Sequence, residues 1–243
     1  MLYLIGLGLD CKDISLNALE AIKKCKKLYL EYYTNIGCSL NELEKLINKK
    51  VVLANRELIE NHASKILDEA KKANIAILVY GDPLIATTHI NYLIDARKAN
   101  IKTKVIHAAS IINAITETGL SIYNFGKTTS IPFNNDNITT PINVIKDNLK
   151  SGMHTLILLD LDPENNKFLT INQALKYLIK HDLDLNLLAC TNLGIEKAKI
   201  RYGKAPDLIK FKFDNLGCLI IPGKLHFREK EALELVGIKN DRR

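Results

Sequence analysis

The feature that most constrains this chain is a regular alternation between short apolar runs and amphipathic stretches. Residues 2–6 form the first apolar run. Behind Ser15, apolar residues recur at Leu16, Leu19 and Ile22, which is the spacing of one helix face. Ser15 is a suitable N-cap for that helix. Strand–helix units in series favour an α/β fold, and crossover helices between strands favour a parallel sheet.

The same pattern continues through the chain and predicts two α/β domains. In the first half we predict strands over residues 2–6, 27–33, 51–53, 75–80 and 102–107, and helices over 15–25, 40–47, 63–73, 87–99 and 110–118. In the second half we predict strands over 130–133, 154–161, 185–191, 199–203 and 217–222, and helices over 142–149, 170–181 and 227–236. The series starts afresh near residues 108–112, so we place the domains at residues 1–108 and 109–243.

The chain of 243 residues has a formal net charge of +7, and most of its basic residues are lysine. Arginine, which reads phosphates and bases bidentately, is sparse. The charge fits a solvated surface, and it also fits an acidic or RNA-bearing partner. It does not decide between them.

Composition also bears on the compartment. No apolar run approaches the roughly 20 residues of a membrane helix, and the N-terminus lacks the pattern of a signal peptide. We therefore predict a soluble cytoplasmic protein. The five cysteines are scattered without a Cys-x-x-Cys pair, and the six histidines show no metal-binding spacing. We expect buried free thiols, with neither a zinc site nor a disulfide framework.

Two glycine motifs suggest nucleotide binding, and both fail in detail. Gly6-Leu7-Gly8 follows the first strand, but Cys11 stands where a dinucleotide fingerprint needs its third glycine. Glu31, after the second strand, is the remaining feature of such a site. Gly126-Lys127-Thr128 lacks the glycine spacing and the leading strand of a P-loop, which excludes a nucleotide triphosphatase. For the first turn, both interpretations remain: a ligand-binding loop, or a glycine turn required by tight packing.

The segment from Gly81 to His89 is the most informative. A Gly-Asp-Pro turn follows an apolar strand at the carboxyl edge of the predicted parallel sheet, where ligands bind. Asp82 is either a ligand-positioning carboxylate or the cap of a turn. His107, Ser110 and Asp160 also follow strands. A histidine placed like His107 is more often a hydrogen-bonded structural residue than a catalyst, and Ser110 is a natural N-cap. Asp160 fits a helix cap, a salt-bridge partner or a site carboxylate. No nucleophile–base pair is readable, and the sequence identifies no catalytic base.

In combination and in this order, the motifs resemble those of the diphthine synthase family, within the tetrapyrrole methylase-like class of methyltransferases. The resemblance spans essentially the whole chain and rests on Ile5–Leu9, Gly81–His89, Ile106–Ile111, Gly126-Lys127 and Ile221–His226. It implies two α/β domains with a cofactor cleft between them, S-adenosylmethionine as methyl donor, S-adenosylhomocysteine as product, no metal, and usually a homodimer. The implied substrate is the 2-(3-amino-3-carboxypropyl)histidine of translation elongation factor 2, whose amino group is trimethylated to give diphthine. No direct contact with nucleic acid is required.

The resemblance also implies the cofactor contacts residue by residue. They are Leu9, Asp82, Ile85, Ser110, Ile111, Leu159, Leu193 and Gly217. At the last two positions the family more often has Ala and His, so there we expect contacts made by the backbone. Residues 134–140 lack the aromatic character of relatives, which leaves the substrate contacts open. The alternatives are a tetrapyrrole-precursor methylase, a binding module without catalysis and an NAD-dependent oxidoreductase, the last disfavoured by the missing third glycine.

Overall fold

The structure is a computed structural model that describes residues 1–34, 37–213 and 216–239, with only the backbone for 237–239. These residues form two compact units. The first contains Met1–Ile111 and Asp162–Asn166, and the second contains Ile112–Leu161 and the chain from Lys167 onward. Each unit combines a sheet with helices, which confirms the α/β class. The domain boundary between residues 108 and 109 stays a prediction.

The first unit is built on a five-stranded sheet in which every strand pairing is parallel, as the sequence predicts. Its strand order is β3-β2-β4-β1-β5. The strands are β1 (Leu2–Gly6), β2 (Lys27–Glu31), β3 (Val52–Ala54), β4 (Ile75–Val79) and β5 (Thr103–Ile106). Strands β4, β1 and β5 are therefore direct neighbours, although β1 begins the chain.

Helices cover both faces of this sheet. They are α1 (Leu16–Lys24), α2 (Leu40–Ile47), α3 (Ala63–Lys72) and α4 (Ile90–Lys98), with a π-helical turn at Glu57–Asn61. In β1, Tyr3 and Ile5 pack with the apolar faces of α1 and α2, while Leu2 and Leu4 pack with those of α3 and α4. This alternation buries both sides of the strand, which explains its continuous apolar sequence. Ser15 caps α1 as predicted, since its Oγ accepts from the Ala18 N–H.

The second unit contains a mixed five-stranded sheet of order β11-β10-β12-β7-β6. Its strands are β6 (Thr129–Ile131), β7 (Thr155–Leu159), β10 (Asn186–Thr191), β11 (Lys199–Lys204) and β12 (Gly217–Ile221), and a short hairpin is formed by β8 (Leu161–Asp162) and β9 (Lys167–Phe168). The β6–β7 pairing is parallel and the other pairings of the large sheet are antiparallel. The helices are α5 (Ile111–Ala114), α6 (Thr140–Lys150), α7 (Ile171–Lys180), α8 (Ala205–Leu208) and α9 (Phe227–Lys239).

Two predicted helices are shorter than expected, and local geometry explains both. The helix predicted over 87–99 begins at Ile90, because residues 82–89 form a loop in which Ala86 has a positive φ of 55°. The helix predicted over 110–118 keeps α geometry only through Ala114. It continues as a 3-10 helix to Thr118 and ends at Gly119, whose φ is 82°. That left-handed conformation favours glycine and stops a helix.

One prediction about the cysteines is wrong. Cys11 and Cys38 form a disulfide with their Cα atoms 5.8 Å apart, because the fold brings the loop after β1 against the residues before α2. Their separation of 27 residues gave no sign of this pairing. Cys25, Cys190 and Cys218 are buried free thiols, as expected. Burial raises the pKa of Cys25 to about 11, which makes that thiol unreactive.

Within the described residues, no helix is both long enough and apolar enough to cross a membrane. In the same part of the chain, no group of three or more His, Cys, Asp or Glu side chains is arranged to hold a metal ion.

Candidate functional site

The glycine turn after β1 and the glycine turn after β4 are bonded to each other. The Gly81 N–H donates to the Gly8 carbonyl at 2.7 Å, and the Gly8 N–H donates to the Gly81 carbonyl at 3.3 Å. Both glycines have positive φ, 83° and 79°. A Cβ added at Gly6 would lie 2.7 Å from the Gly81 oxygen. The glycines are therefore required for the two turns to meet at the carboxyl edge of the sheet.

Leu9 begins a loop that is fixed from two sides. Asp13 Oδ2 accepts from the backbone N–H groups of Leu9 and Asp10, at 3.0 and 2.9 Å. The Cys11–Cys38 disulfide ties the same loop to the segment before α2. Leu9 is half-buried. The loop that contains the predicted Leu9 contact is thus stabilised by Asp13 from within and by the disulfide to Cys38 from outside.

Asp82 is a buried carboxylate that joins the loop after β4 to the loop after β5. Its Oδ1 accepts from the Leu84 N–H at 2.9 Å. Its Oδ2 accepts from His107 Nδ1 at 2.8 Å and from the Ala108 N–H at 3.2 Å. The carboxylate therefore organises the ends of two strands, a structural role that the sequence left open beside ligand positioning. Among the residues that the structure describes, Leu84 alone donates to Oδ1, so the second lone pair of this oxygen remains for a ligand donor.

The rest of the Gly81–His89 loop is stabilised by hydrogen bonds between its own residues. Pro83 O accepts from Thr87 Oγ1 at 3.0 Å and lies 3.1 Å from His89 Nδ1. His89 is buried, and that burial lowers its pKa, an effect partly offset by the Glu31 carboxylate and by the bond to Pro83. The neutral ring then donates from Nδ1, because a carbonyl only accepts. Ile85, in the same loop, is partly exposed.

The structure brings the five predicted contacts of the first unit to one edge of its sheet. Leu9 follows β1, Asp82 and Ile85 follow β4, and Ser110 and Ile111 follow β5. Because these three strands are neighbours and parallel, their carboxyl ends lie side by side. Ser110 is buried and Ile111 is half-buried. This is the edge where ligands bind in parallel α/β sheets. The role of each residue stays a prediction.

The three predicted contacts of the second unit also share one edge of their own sheet. Leu159 is the last residue of β7, Gly217 is the first of β12, and Leu193 follows β10. The antiparallel registers pair Cys218 with Leu158 and Gly217 with Thr191, which brings these strand ends together. A Cβ at Gly217 would lie 2.7 Å from Ile171 Cδ1 and 2.8 Å from the Cys190 oxygen. Glycine therefore suits close packing here, and a contact from this position would involve the backbone.

Three motif residues have structural roles. Glu31 is buried and accepts from the Tyr33 and Thr34 N–H groups, so it is not placed as a ribose ligand would be. Gly126 packs against the Asn148 side chain, which also accepts from the Lys127 N–H. Asp160 accepts from the Phe133 and Leu161 N–H groups in a turn.

A buried hydrogen-bond network surrounds Glu229, and it was not predicted from the sequence. Its carboxylate accepts from the N–H groups of Ser121 and His226, at 2.9 and 2.7 Å, and from His154 Nε2 at 3.1 Å. The Gly223 N–H donates to His154 Nδ1 at 2.8 Å, which assigns the ring hydrogen to Nε2. The network fixes the Ile221–His226 motif onto the start of α9. The spacing from His226 to Glu229, typical of a helix start with an acidic third residue, was the signal available.

A pocket of about 400 Å³ lies within the second unit beside this network. Its lining residues are Thr116, Gly119, Leu120, Ser121, Asn124, His226, Arg228 and Glu229. None of them is a predicted cofactor contact. The Glu229 carboxylate in this lining already accepts several hydrogen bonds from the protein.

Over most of its length the chain is similar to a family of methylases. A family model described as Tetrapyrrole (Corrin/Porphyrin) Methylases matches residues 1–209. The diphthine synthase of Methanocaldococcus jannaschii is 42% identical over 251 residues, covering 96% of this chain and 98% of the relative. That of Methanococcus maripaludis is 42% identical over 249 residues with the same coverage. A crystal structure of diphthine synthase superimposes with a TM-score of 0.92 at 35% identity, covering 98% of this chain and 96% of the other. The chain therefore belongs to the tetrapyrrole methylase family and, within it, to the diphthine synthases.

Proposed function

We propose that this protein is an S-adenosylmethionine-dependent N-methyltransferase that converts the 2-(3-amino-3-carboxypropyl)histidine of translation elongation factor 2 to diphthine. The observation that carries the proposal is similarity to diphthine synthases over nearly the whole length of both chains. A tetrapyrrole precursor as substrate is not favoured, because these near-full-length relatives carry the diphthine synthase name. The proposal includes three methyl transfers, a homodimer, a cytoplasmic location and no requirement for nucleic acid.

The residues at the first sheet edge fit the proposed cofactor. The glycines at positions 6 and 8 let the turns after β1 and β4 pack closely, which fixes the backbone at this edge. Asp82 Oδ1 has an acceptor position for a hydroxyl or ammonium group, and Ile85 offers an apolar surface for an adenine ring. We propose that Leu9, Asp82, Ile85, Ser110 and Ile111 hold S-adenosylmethionine in the first unit. From the second unit we propose Leu159, Leu193 and Gly217.

When bound, S-adenosylmethionine supplies a methyl group already activated by its positive sulfur. The task of the protein is then mainly to hold the acceptor amine in line with that methyl, and orientation of this kind supplies roughly 7–11 kcal/mol. The bonded glycine turns and the Asp82 clamp are rigid elements that suit this task. A fixed sheet edge also loses little conformational entropy when a ligand binds.

The direct test is a methylation assay. The purified chain is incubated with methyl-labelled S-adenosylmethionine and elongation factor 2 that carries the amino-carboxypropyl-histidine, and the factor is weighed by mass spectrometry. We expect a gain of three methyl groups on that residue. Elongation factor 2 with an unmodified histidine is the control and gains none. Retained cofactor binding without methylation of the factor would contradict the proposal and direct the search to tetrapyrrole acceptors.

A further inference from the structure

His107 directly follows β5 and combines an exposed ring with a buried carboxylate partner. Its Nδ1 lies 2.8 Å from Asp82 Oδ2. The His107 side chain is 68% exposed, whereas that of Asp82 is 6% exposed. One side of the imidazole is therefore anchored to the protein, and the other side is open at the sheet edge.

The hydrogen bonds of Asp82 decide which nitrogen of His107 carries the hydrogen. The Asp82 carboxylate accepts from the N–H groups of Leu84 and Ala108 as well as from His107. A carboxylate oxygen is the acceptor in such a bond, so Nδ1 of His107 is the donor. In the neutral ring, Nε2 then carries a lone pair. Within the described ranges of the chain, Nε2 makes no hydrogen bond.

The position of His107 relates it to the proposed cofactor contacts. It is bonded to Asp82, and Ser110 and Ile111 follow it on the same loop. Leu9 lies after β1, the strand between β4 and β5. A base anchored at this edge is placed among the residues proposed to hold the methyl donor, where the acceptor amine must arrive.

We propose that His107 is the general base of the methyl transfer, acting through Nε2 and oriented by Asp82. This role rests on the proposed function. An amine in its ammonium form has no lone pair, so a proton must leave nitrogen before each transfer. His107 Nε2 accepts that proton, and the freed lone pair forms the N–C bond while the C–S bond breaks and its electrons remain on sulfur. The imidazolium then releases the proton to water. Three transfers release three protons and end with a quaternary nitrogen.

A purely structural role for His107 makes a different prediction. If the ring only holds Asp82 in place, His107→Asn should function well, because the asparagine amide also donates to Asp82 from the Nδ1 position. It has no basic nitrogen at the Nε2 position. The base role therefore predicts that His107→Asn keeps cofactor binding and loses methylation.

The experiment measures single-turnover methylation of elongation factor 2 and, by calorimetry, cofactor affinity. For His107→Ala and His107→Asn we expect the rate to fall by about 10²–10⁴-fold, the usual contribution of general base catalysis. We expect cofactor affinity within about twofold of the wild type for His107→Asn, because the bond to Asp82 is kept. Added imidazole should restore part of the rate of His107→Ala. The control is His62→Ala, since His62 is also exposed and lies 3.4 Å from a carboxylate oxygen of Glu57.

The outcomes separate this inference from the proposed function. Rates of both variants within about threefold of the wild type, no rescue by imidazole, or full activity of His107→Asn would each overturn the base role while the methyltransferase assignment stands. If the unaltered chain does not methylate the factor, the proposed function fails, and the base role fails with it.

Discussion

The Asp82 carboxylate accepts a hydrogen bond from His107 Nδ1 at 2.8 Å, although the two residues are 25 positions apart in sequence. This bond joins the loops after β4 and β5, which lie on either side of β1. It therefore holds both flanks of the proposed cofactor site, and changes to either residue should affect the site in different ways.

Removing the Asp82 carboxylate should weaken cofactor binding. Asp82→Ala leaves His107 and the N–H groups of Leu84 and Ala108 without their acceptor, so both loops lose their common anchor. We expect the dissociation constant of S-adenosylmethionine to rise about tenfold or more, which corresponds to about 1.4 kcal/mol. Isothermal calorimetry measures it. The matched control is Asp68→Ala, an exposed carboxylate on α3 paired with Lys71. Unchanged affinity in Asp82→Ala would remove Asp82 from the site.

A side chain at Gly8 should distort the first turn. The position has a φ of 83°, and an added Cβ would collide with the Asp13 side chain that holds the Leu9 loop. We expect Gly8→Ala to lower the free energy of unfolding by about 1–3 kcal/mol and to weaken cofactor binding. Urea denaturation and calorimetry measure the two effects.

The control for that change is Gly203→Ala in β11. There the nearest atom to an added Cβ is Leu208 Cδ2 at 3.7 Å, an ordinary contact. We expect its free energy of unfolding to stay within about 1 kcal/mol of the wild type. Equal stability of the two variants would show that the first turn tolerates a side chain, contrary to the backbone geometry.

Local features of the fold could be predicted from the sequence, because their signals lie within a few residues. Ser15 caps its helix as predicted, and α2 has the predicted bounds. The continuous burial of β1 was likewise predicted from its apolar run, and it is explained by the helices that cover both faces of the strand. The order of the parallel strands could not be predicted in this way. It depends on which face of the sheet each connecting helix crosses, and no short stretch of sequence records that.

Contacts that depend on strand order could therefore not be predicted from the sequence. The Asp82–His107 bond joins the loops that follow β4 and β5, the two neighbours of β1, and the Cys11–Cys38 disulfide joins two loops that are distant in sequence. Residues Asp162–Asn166 lie in the second half of the sequence, yet they belong to the first unit, where Glu164 accepts from the Arg56 N–H at 2.9 Å. Periodicity and motif spacing carry no information about such distant pairs.

Because the His89 ring is buried, we expect the free energy of unfolding to fall in mild acid. Burial lowers its pKa below the ordinary 6.5, although the Glu31 and Glu60 carboxylates and the bond to Pro83 O act in the opposite direction. His89 therefore binds a proton less readily in the folded state than in the unfolded chain. The stabilising contribution is present above about pH 6.5 and is lost as the pH falls through the lowered value.

We expect the stability difference between wild type and His89→Asn to narrow as the pH falls from about 7.5 to about 5.5, a range around the ordinary histidine pKa. Urea denaturation at both pH values measures it. His181→Asn supplies the comparison, since His181 lies at the end of α7 in the second unit. A constant difference across this range would show that His89 is not held neutral by the fold.

Glu229 should stabilise the second unit in its ionised form. Burial alone would raise its pKa, but hydrogen bonds from the Ser121 and His226 N–H groups and from His154 outweigh that effect and lower the pKa to about 2. With a folded value below the ordinary 4.5, the contribution is full above about pH 4.5 and is lost as the pH falls towards 2. At neutral pH we expect Glu229→Gln to lower the free energy of unfolding by about 1–3 kcal/mol, the range for hydrogen bonds to a buried charged group.

The pH dependence gives the sharper test of this network. Because glutamine does not titrate, the difference between wild type and Glu229→Gln should shrink when urea denaturation is repeated at about pH 3, where the contribution of the wild-type carboxylate is partly lost. Glu231→Gln, two residues further along α9, is the matched control, because Glu231 is exposed and paired with Arg228. Exposed pairs contribute only about 0–1 kcal/mol, so this control should show little change at either pH. If Glu229→Gln and Glu231→Gln behaved alike, the buried carboxylate would not be what fixes the Ile221–His226 motif to α9.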